Sequence, residues 1–185
     1  MPDAFQIFIK PVGAICNLGC TYCYYLDKKD IYQGARSLKM SDEILEKYIK
    51  QHIEMSSDDP VFFSWHGGEP LLAGIDFYRK AVAFQKKYLP CGRSAINGIQ
   101  TNGTLINDEW CRFFRSENFI TGISIDGPER FHNKHRLTPS GESSFTSVLN
   151  GYDLLLRYGI TAEILCVVSS YNSDSPLELY NFFRQ

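Results

Sequence analysis

The chain has 185 residues, of which 44% are hydrophobic and 22% charged; these values predict a globular protein with a core and exclude a disordered one. A net charge of −2 offers no basic surface for nucleic acid or for an anionic membrane. No stretch approaches the roughly 20 consecutive apolar residues of a membrane helix, and residues 1–10 lack the features of a secretory signal. The sequence therefore predicts a cytoplasmic protein with one domain over residues 1–185.

Short apolar runs alternate along the chain with segments in which apolar residues recur at helical spacing. The predicted strands comprise residues 5–12, 61–65, 94–101, 120–125 and 160–168. Helices are predicted between them and after the last, with N-caps at Ser41, Asn107 and either Ser143 or Ser144, and a C-terminal stop at Gly159. Strands that alternate with helices predict βαβ units and a parallel α/β sheet. The continuous apolar run at 61–65 is typical of a strand buried on both faces.

Six cysteines in a chain with no secretory signal indicate metal or redox chemistry rather than a disulfide framework. Cys16, Cys20 and Cys23 form a C-x3-C-x2-C pattern in the loop after the first strand. The other three cysteines are far apart in the sequence, and we interpret them as ordinary core or surface thiols: Cys91, Cys111 and Cys166.

Three clustered thiolates suit a four-iron cluster with one iron left open. A structural zinc site normally has four protein ligands, and no fourth ligand stands nearby at a suitable spacing. A [4Fe–4S] cluster fully held by protein also takes four thiolates. The pattern thus favours a cluster with one open iron, with a zinc site completed from a distance and a chance clustering as the alternatives.

Residues with special chemistry also follow the other predicted strands. The second strand ends in HGGEP (66–70), the third in TNG (101–103) and the fourth in SIDG (124–127). Ligands of parallel α/β folds bind at the carboxyl ends of the strands. Four marked strand ends in succession therefore predict one site at that edge of the sheet.

The stretch CNLGCTYCYY resembles the cluster motif of radical S-adenosylmethionine (SAM) enzymes, with the aromatic Tyr22 before the third cysteine. GGEP, TNG, S-x-D-G-P and H-x3-R follow in the order of that family, so the resemblance covers almost all of the chain. KPVGAICNLGCTYCYY together with WHGGEP is similar to the anaerobic sulfatase-maturating branch and its SPASM-type peptide-modifying relatives. His66 stands where some sulfatase maturases carry Gln and other peptide-modifying relatives carry His.

This resemblance implies a fold, cofactors and an activity. The fold is a partial (β/α)6 TIM-like barrel of parallel strands, of which the chain holds about five βα units. The cofactors are a [4Fe–4S] cluster and SAM, whose reductive cleavage yields a 5′-deoxyadenosyl radical. The leading activity is oxidation of a Cys or Ser in a sulfatase to formylglycine, with a protein or peptide as substrate and an electron donor such as flavodoxin or ferredoxin.

The resemblance also implies roles for particular residues. Cys16, Cys20 and Cys23 would hold the cluster, and Tyr25 would lie near the substrate or serve packing. The residues assigned to SAM are Tyr22, Gly67, Gly68 and Glu69 (at its amino group), Asn102, Ser124 (at the ribose) and Arg136 (clamping the carboxylate). All of these except Tyr22 have a structural alternative: GGEP can be a plain tight turn, Ser124 can bond backbone, Arg136 can be a solvated loop charge, and Asn102 can form a turn before Gly103.

Parts of the family pattern are not found in these 185 residues. The sixth strand, the auxiliary-cluster domain and the catalytic acid–base residue are expected beyond Gln185, so the chain is interpreted as an incomplete radical SAM core domain. The alternative functions are those of another peptide-modifying radical SAM enzyme, of a non-catalytic metal or iron–sulfur binding module, and of an inactive truncated relative.

Overall fold

A computed structural model of the chain describes residues 6–26, 28 and 38–185. Within them lies one sheet of five parallel strands, ordered as in the sequence: β1 (Phe8–Ile9), β2 (Val61–Trp65), β3 (Ala95–Thr101), β4 (Ile120–Ser124) and β5 (Ala162–Leu165). The α-helices are α1 (Asp42–Met55), α2 (Ile75–Tyr88), α3 (Asp108–Ser116), α4 (Glu129–His135), α5 (Phe145–Arg157) and α6 (Pro176–Arg184). The predicted parallel α/β architecture is confirmed. No helix in the described ranges is long and apolar enough to cross a membrane.

Helix starts follow from local side-chain chemistry. The Ser41 side chain accepts a hydrogen bond from the Ile44 amide, and the Asn107 side chain accepts one from Trp110, so both predicted N-caps are confirmed. Gly159 follows α5 with φ +70°, the left-handed conformation that glycine adopts readily at a helix end. Ser144 precedes α5, but its side chain does not cap the helix; it donates instead to the Arg136 carbonyl.

The core lies between one face of the sheet and the helices. Phe63 and Trp65 of β2 point into it, as does Tyr78 of α2, and all three are fully buried. Trp65 Nε1 donates to Asn97 Oδ1 at 2.9 Å, and Asn97 in turn exchanges two hydrogen bonds with Gln85. The polar groups of these three buried side chains are therefore paired, as is usual for buried polar groups.

The other face of the sheet is a concave surface, as the partial barrel implied by the family resemblance requires. Phe62 lies on it and is 39% exposed, so β2 is not buried on both faces as its apolar run suggests. Small and polar residues continue this face across β3 and β4, among them Gly98, Gln100 and Gly122. Because side chains alternate along a strand, the same strands supply both the packed core and this open surface.

Two boundaries and one helix differ from the predictions. β1 and β5 contain only two and four residues, shorter than the predicted runs, and Phe5 lies outside the described residues. Helix α4 was not predicted because it has only seven residues, no side-chain cap and a largely polar sequence. Its carboxyl end places Arg136 beside the sheet instead of in solvent.

Candidate functional site

A cavity of about 420 Å³ lies at the carboxyl ends of the strands, within the usual size of a small-molecule site. Every predicted site residue except Glu69 lines it: Cys16, Cys20, Tyr22, Cys23, Tyr25, Gly67, Gly68, Asn102, Ser124 and Arg136. Side chains that the sequence did not single out for the site also line it, namely Leu18, Gln100, Thr101, Leu165 and Val167. Strand ends that are distant in sequence thus converge on one site, as expected for a parallel sheet.

The cysteine loop is docked on the glycine turn after β2. Gly68 donates its backbone N–H to the Gly13 carbonyl at 3.0 Å, and Glu69 donates to the Ile15 carbonyl at 2.8 Å. A Cβ at position 68 would lie 2.0 Å from the Ile15 oxygen, so only glycine fits there. Gly67 has φ +125°, a conformation that favours glycine. These glycines allow close approach of the cysteine loop, where the sequence suggested approach of a ligand.

The same loop is also attached to the end of α4. The Gly19 N–H donates to the Leu137 carbonyl at 2.7 Å, and the Thr21 N–H donates to the His135 carbonyl at 3.0 Å. The Thr21 hydroxyl lies 2.6 Å from His135 Nδ1. A loop bonded on both sides holds its thiols in place before any ligand binds, which lowers the entropic cost of binding.

The three thiols fit an iron–sulfur cluster better than a single metal ion. Cys16, Cys20 and Cys23 are unpaired thiols around one cavity. In the described part of the chain, no group of three His, Cys, Asp or Glu side chains converges closely enough to hold one ion. A four-iron cluster needs less convergence, because each thiolate binds a different iron. Burial raises the pKa of Cys16, and it raises that of Cys20 to about 11, so binding must displace protons that these thiols hold at neutral pH.

Asn102 lines the cavity and also forms the turn after β3. Its Oδ1 accepts hydrogen bonds from the Thr104 N–H at 3.0 Å and from the Thr104 hydroxyl at 2.7 Å. Its Nδ2 donates to Asn17 Oδ1 at 2.9 Å and to Cys16 Sγ at 3.7 Å. Gly103 follows with φ +80°, as the turn interpretation requires. The two alternatives considered for Asn102 therefore hold together.

Glu69 does not line the cavity, and its carboxylate is already bonded. It is fully buried, and its oxygens accept from the Leu71 N–H, the Thr101 hydroxyl and the Asn102 N–H at 2.7–2.9 Å. Burial raises the pKa of the carboxyl to about 7, although these three donors lower it. The side chain joins the turns after β2 and β3 and so positions the residues around it. Binding of the SAM amino group by Glu69 and nearby carbonyls stays a prediction.

Asp126 is a central residue of the site that the sequence analysis missed. It accepts from Arg136 Nε at 2.9 Å and from Nη2 at 3.1 Å, from the Tyr22 hydroxyl, and from the Val167 N–H at 2.9 Å. Arg136 is thus a buried residue rather than a solvated charge, and one edge of its guanidinium is committed to Asp126. The SIDG motif at the end of β4 contains Asp126, but the sequence analysis assigns a role only to its serine, Ser124.

Gln100 connects β3 to the Ser124 hydroxyl. Its Nε2 donates to Ser124 Oγ at 3.1 Å, and both residues line the cavity. A Cβ at position 122 would lie 2.1 Å from Gln100 Oε1, so Gly122 makes the room in which this side chain lies. Ser124 therefore has a side-chain partner, whereas the structural alternative had it bonding backbone.

Buried His132 supports the Arg136 segment from behind. Ser144 donates its hydroxyl proton to the Arg136 carbonyl. His132 Nε2 lies 3.0 Å from Ser144 Oγ, and because the serine proton is already used, Nε2 must be the donor in this contact. Nδ1 then accepts the Asp126 N–H at 3.4 Å. Burial and the charge of Arg136 together lower the pKa of His132 to about 4, although Asp126 raises it, and the ring stays neutral at pH 7.

Two tyrosines form the exposed rim of the cavity. The Tyr24 hydroxyl donates to the Tyr25 hydroxyl at 2.7 Å, and the Tyr25 ring lies 4.6 Å from the Lys10 ammonium. Tyr24 is exposed, whereas Tyr25 is half-buried. Both residues line the cavity.

Comparison with known proteins identifies a family and similar enzymes. The sequence profile of the Radical SAM superfamily matches residues 11–183. A serine-type anaerobic sulfatase-maturating enzyme of Bacteroides thetaiotaomicron is 48% identical over 97% of this chain and 43% of its own length. A cysteine-type enzyme of Clostridium novyi is 37% identical over 98% of the chain and 48% of its own length.

The fold comparison gives the same result. The solved structure described as native anSMEcpe with bound AdoMet superposes with a TM-score of 0.87 at 35% identity, over 96% of this chain and 47% of the other. The chain spans about half the length of the curated relatives it matches. The cofactors of the matched family are a [4Fe–4S] cluster and SAM. By the extent of these matches, the chain belongs to the radical SAM superfamily.

Proposed function

We propose that this chain is the cofactor-binding part of an anaerobic sulfatase-maturating enzyme, which oxidises a Ser or Cys of a sulfatase to formylglycine. The observation that carries the proposal is the convergence of three free thiols with Ser124 and Arg136 on one cavity at the strand ends. The names of the relatives, two of them matched over nearly the whole of this chain, supply the reaction.

The chain's own residues have distinct parts in this proposal. Cys16, Cys20 and Cys23 hold the cluster and leave one iron without a protein ligand. When bound, the cluster would supply the reducing power for cleavage of SAM, and SAM would supply the chemistry that removes a hydrogen atom from the substrate. Arg136 presents its remaining N–H groups to the carboxylate of SAM, since Asp126 occupies the Nε edge. Ser124, fixed by Gln100, offers its hydroxyl to the ribose.

The proposed target residue is serine. The serine-type relatives are 41–48% identical to this chain, and the cysteine-type relatives are 35–37% identical over similar lengths. The proposed partners are a sulfatase chain and an electron donor, either a flavodoxin or a ferredoxin. A peptide of the sulfatase would contact Tyr24 and Tyr25. The proposed compartment is the cytoplasm, where thiols stay reduced.

Anaerobic reconstitution with iron and sulfide tests the proposal. We expect about four irons per chain, and an EPR spectrum of the reduced cluster that changes when SAM is added. A cluster that is indifferent to SAM would instead favour a non-catalytic iron–sulfur module, and binding of zinc alone would refute the proposal. Matched peptides with Ser or Cys at the target position, offered to the intact enzyme, then separate the two types of maturase, and modification of neither would favour another peptide-modifying radical SAM enzyme.

A further inference from the structure

The three cysteine sulfurs have unequal surroundings. Cys16 Sγ accepts the Leu18 N–H at 3.4 Å and the Asn102 side-chain N–H at 3.7 Å. Among residues 6–26, 28 and 38–185, no hydrogen bond reaches the sulfur of Cys20 or Cys23. One of the three candidate ligands is therefore distinguished by two N–H donors.

The orientation of the Asn102 amide is determined by its neighbours. Thr104 N–H can only donate, so the amide oxygen must face it and the NH2 group must face the loop. Asn17 Oδ1 accepts a hydrogen bond from one of the two NH2 protons. Asn17 Nδ2 in turn donates to the Thr104 hydroxyl at 2.8 Å. The remaining proton points to Cys16, 86 residues away in sequence.

The thiol form of Cys16 also makes a long contact of its own. Its Sγ donates to Asn17 Oδ1 at 4.0 Å. This contact requires the thiol proton, which a metal-bound thiolate has lost. The two N–H donors remain and meet a full negative charge, which makes them stronger.

We infer that the side-chain amide of Asn102 is a positioning donor to the Cys16 thiolate that raises the reduction potential of the cluster bound there. The inference rests on the proposed function, because it requires that Cys16 be a cluster ligand. An electron added to the cluster increases the negative charge on its sulfur ligands. An N–H that points at one of them stabilises the reduced state more than the oxidised state, and hydrogen bonds to sulfur are among the factors that set cluster potentials.

The test is an EPR-monitored redox titration of the reconstituted 185-residue chain and its variants, in the absence of SAM. Asn102→Ala removes the donor without adding charge, and Asn102→Asp retains the shape and the acceptor for Thr104 while losing the donor. We expect both variants to keep the wild-type iron content and to be harder to reduce by about tenfold, which corresponds to about 59 mV for one electron. Gln100→Ala is the matched control, since this amide lines the same cavity but donates to Ser124 and to no sulfur. Because no SAM is present in the titration, the loss of the Ser124 contact should not affect the cluster, and the potential should stay at the wild-type value.

Three outcomes would count against the inference in different ways. Unchanged potentials in both Asn102 variants would overturn it and leave the proposed function standing. Loss of the cluster from both variants would also overturn it, because a donor that tunes a formed cluster is not needed to assemble one. Failure of the wild-type chain to take up iron and sulfide would instead refute the proposed function.

Discussion

Arg136 and Asp126 form a two-point ion pair at the edge of the candidate site, and their side chains are only 8% and 2% exposed. The pair joins the carboxyl end of α4 to the loop after β4, and Asp126 extends it to the cysteine loop through Tyr22 and to the segment after β5 through Val167. A buried pair of this kind serves geometry more than stability, because the charges lose their hydration when they are buried. Breaking it from one side is nevertheless costly, and this gives the first prediction.

Arg136→Ala should weaken SAM binding about tenfold or more while the cluster is retained, since a charge-assisted hydrogen bond contributes about 1.5–3 kcal/mol. It should also cost about 3–5 kcal/mol of unfolding free energy, because Asp126 is left charged and buried. Combining it with Asp126→Asn should restore much of the stability but none of the SAM affinity. Calorimetric SAM titration and urea unfolding separate the two effects; equal SAM affinity in Arg136→Ala and the wild type would remove this residue from the site.

Single alanine substitutions of Cys16, Cys20 and Cys23 should each abolish assembly of a stable four-iron cluster, because each removes a coordinate bond. Cys111→Ala serves as the buried control and should lose mainly packing, on the order of 1 kcal/mol, with full iron content. Cys91 and Cys166 should likewise be dispensable. The measurement is iron and sulfide per chain after anaerobic reconstitution, and four irons retained in Cys20→Ala would contradict the ligand assignment.

Two glycine-to-alanine changes should act differently. At Gly68 a new Cβ would meet the backbone oxygen of Ile15 at 2.0 Å, so the cysteine loop must move; we expect lost cluster assembly and about 1–3 kcal/mol of destabilisation, the range for overpacking. At Gly122 the new Cβ meets only the end of the Gln100 side chain, which can swing away. Gly122→Ala should therefore fold and bind the cluster but bind SAM less tightly, as Ser124 loses its partner. Identical behaviour of the two variants, by iron content and SAM affinity, would argue against this account.

His132 should make the chain less stable in acid. Its folded pKa of about 4 lies below the ordinary value of about 6.5, so its contribution is present above pH 6.5 and is lost as the pH falls toward 4. The loss should reach about 3 kcal/mol relative to His132→Gln, whose side chain does not titrate. Glu69 has a raised pKa of about 7 and acts in the opposite direction, since its contribution is lost as the pH rises toward 7, but both proteins share it. Urea unfolding from pH 7 to pH 4 measures the difference; parallel curves would exclude the effect.

These 185 residues should carry cluster and SAM but modify a peptide poorly. Relatives matched over this chain are about twice as long, and the sheet described here has open edges at β1 and β5. A radical reaction requires that the substrate be held in reactive geometry and that water be excluded. With dithionite as the reductant, we expect the chain to form little 5′-deoxyadenosine and to leave a sulfatase-derived peptide unmodified. Chromatography measures the 5′-deoxyadenosine, and mass spectrometry measures the peptide. Repeated stoichiometric formylglycine formation by this chain would show that no further part is needed.

The parallel α/β architecture and the edge that carries the site were predictable from the sequence because both depend on local signals. Apolar runs and helix caps such as Ser41 and Asn107 define βαβ units, and a parallel sheet brings the ends of its strands together. The C-x3-C-x2-C spacing is equally local, so it points to a metal group before any fold is known. Helix α4 lacked such signals and was missed.

The pairing of side chains between strand ends was not predictable, because it depends on strand register and on which way each side chain points. Glu69 and Arg136, which both sit in motifs that predict ligand contact, illustrate this. The Glu69 carboxylate accepts hydrogen bonds from three donors. The Nε and Nη2 groups of Arg136 already donate to Asp126. The contact between Asn102 and Cys16 crosses 86 residues, a separation that no spacing rule covers. Residue types and their order along the chain thus indicate the chemistry, whereas packing between the loops determines which of those residues remain free to meet a ligand and which ones hold the others in place.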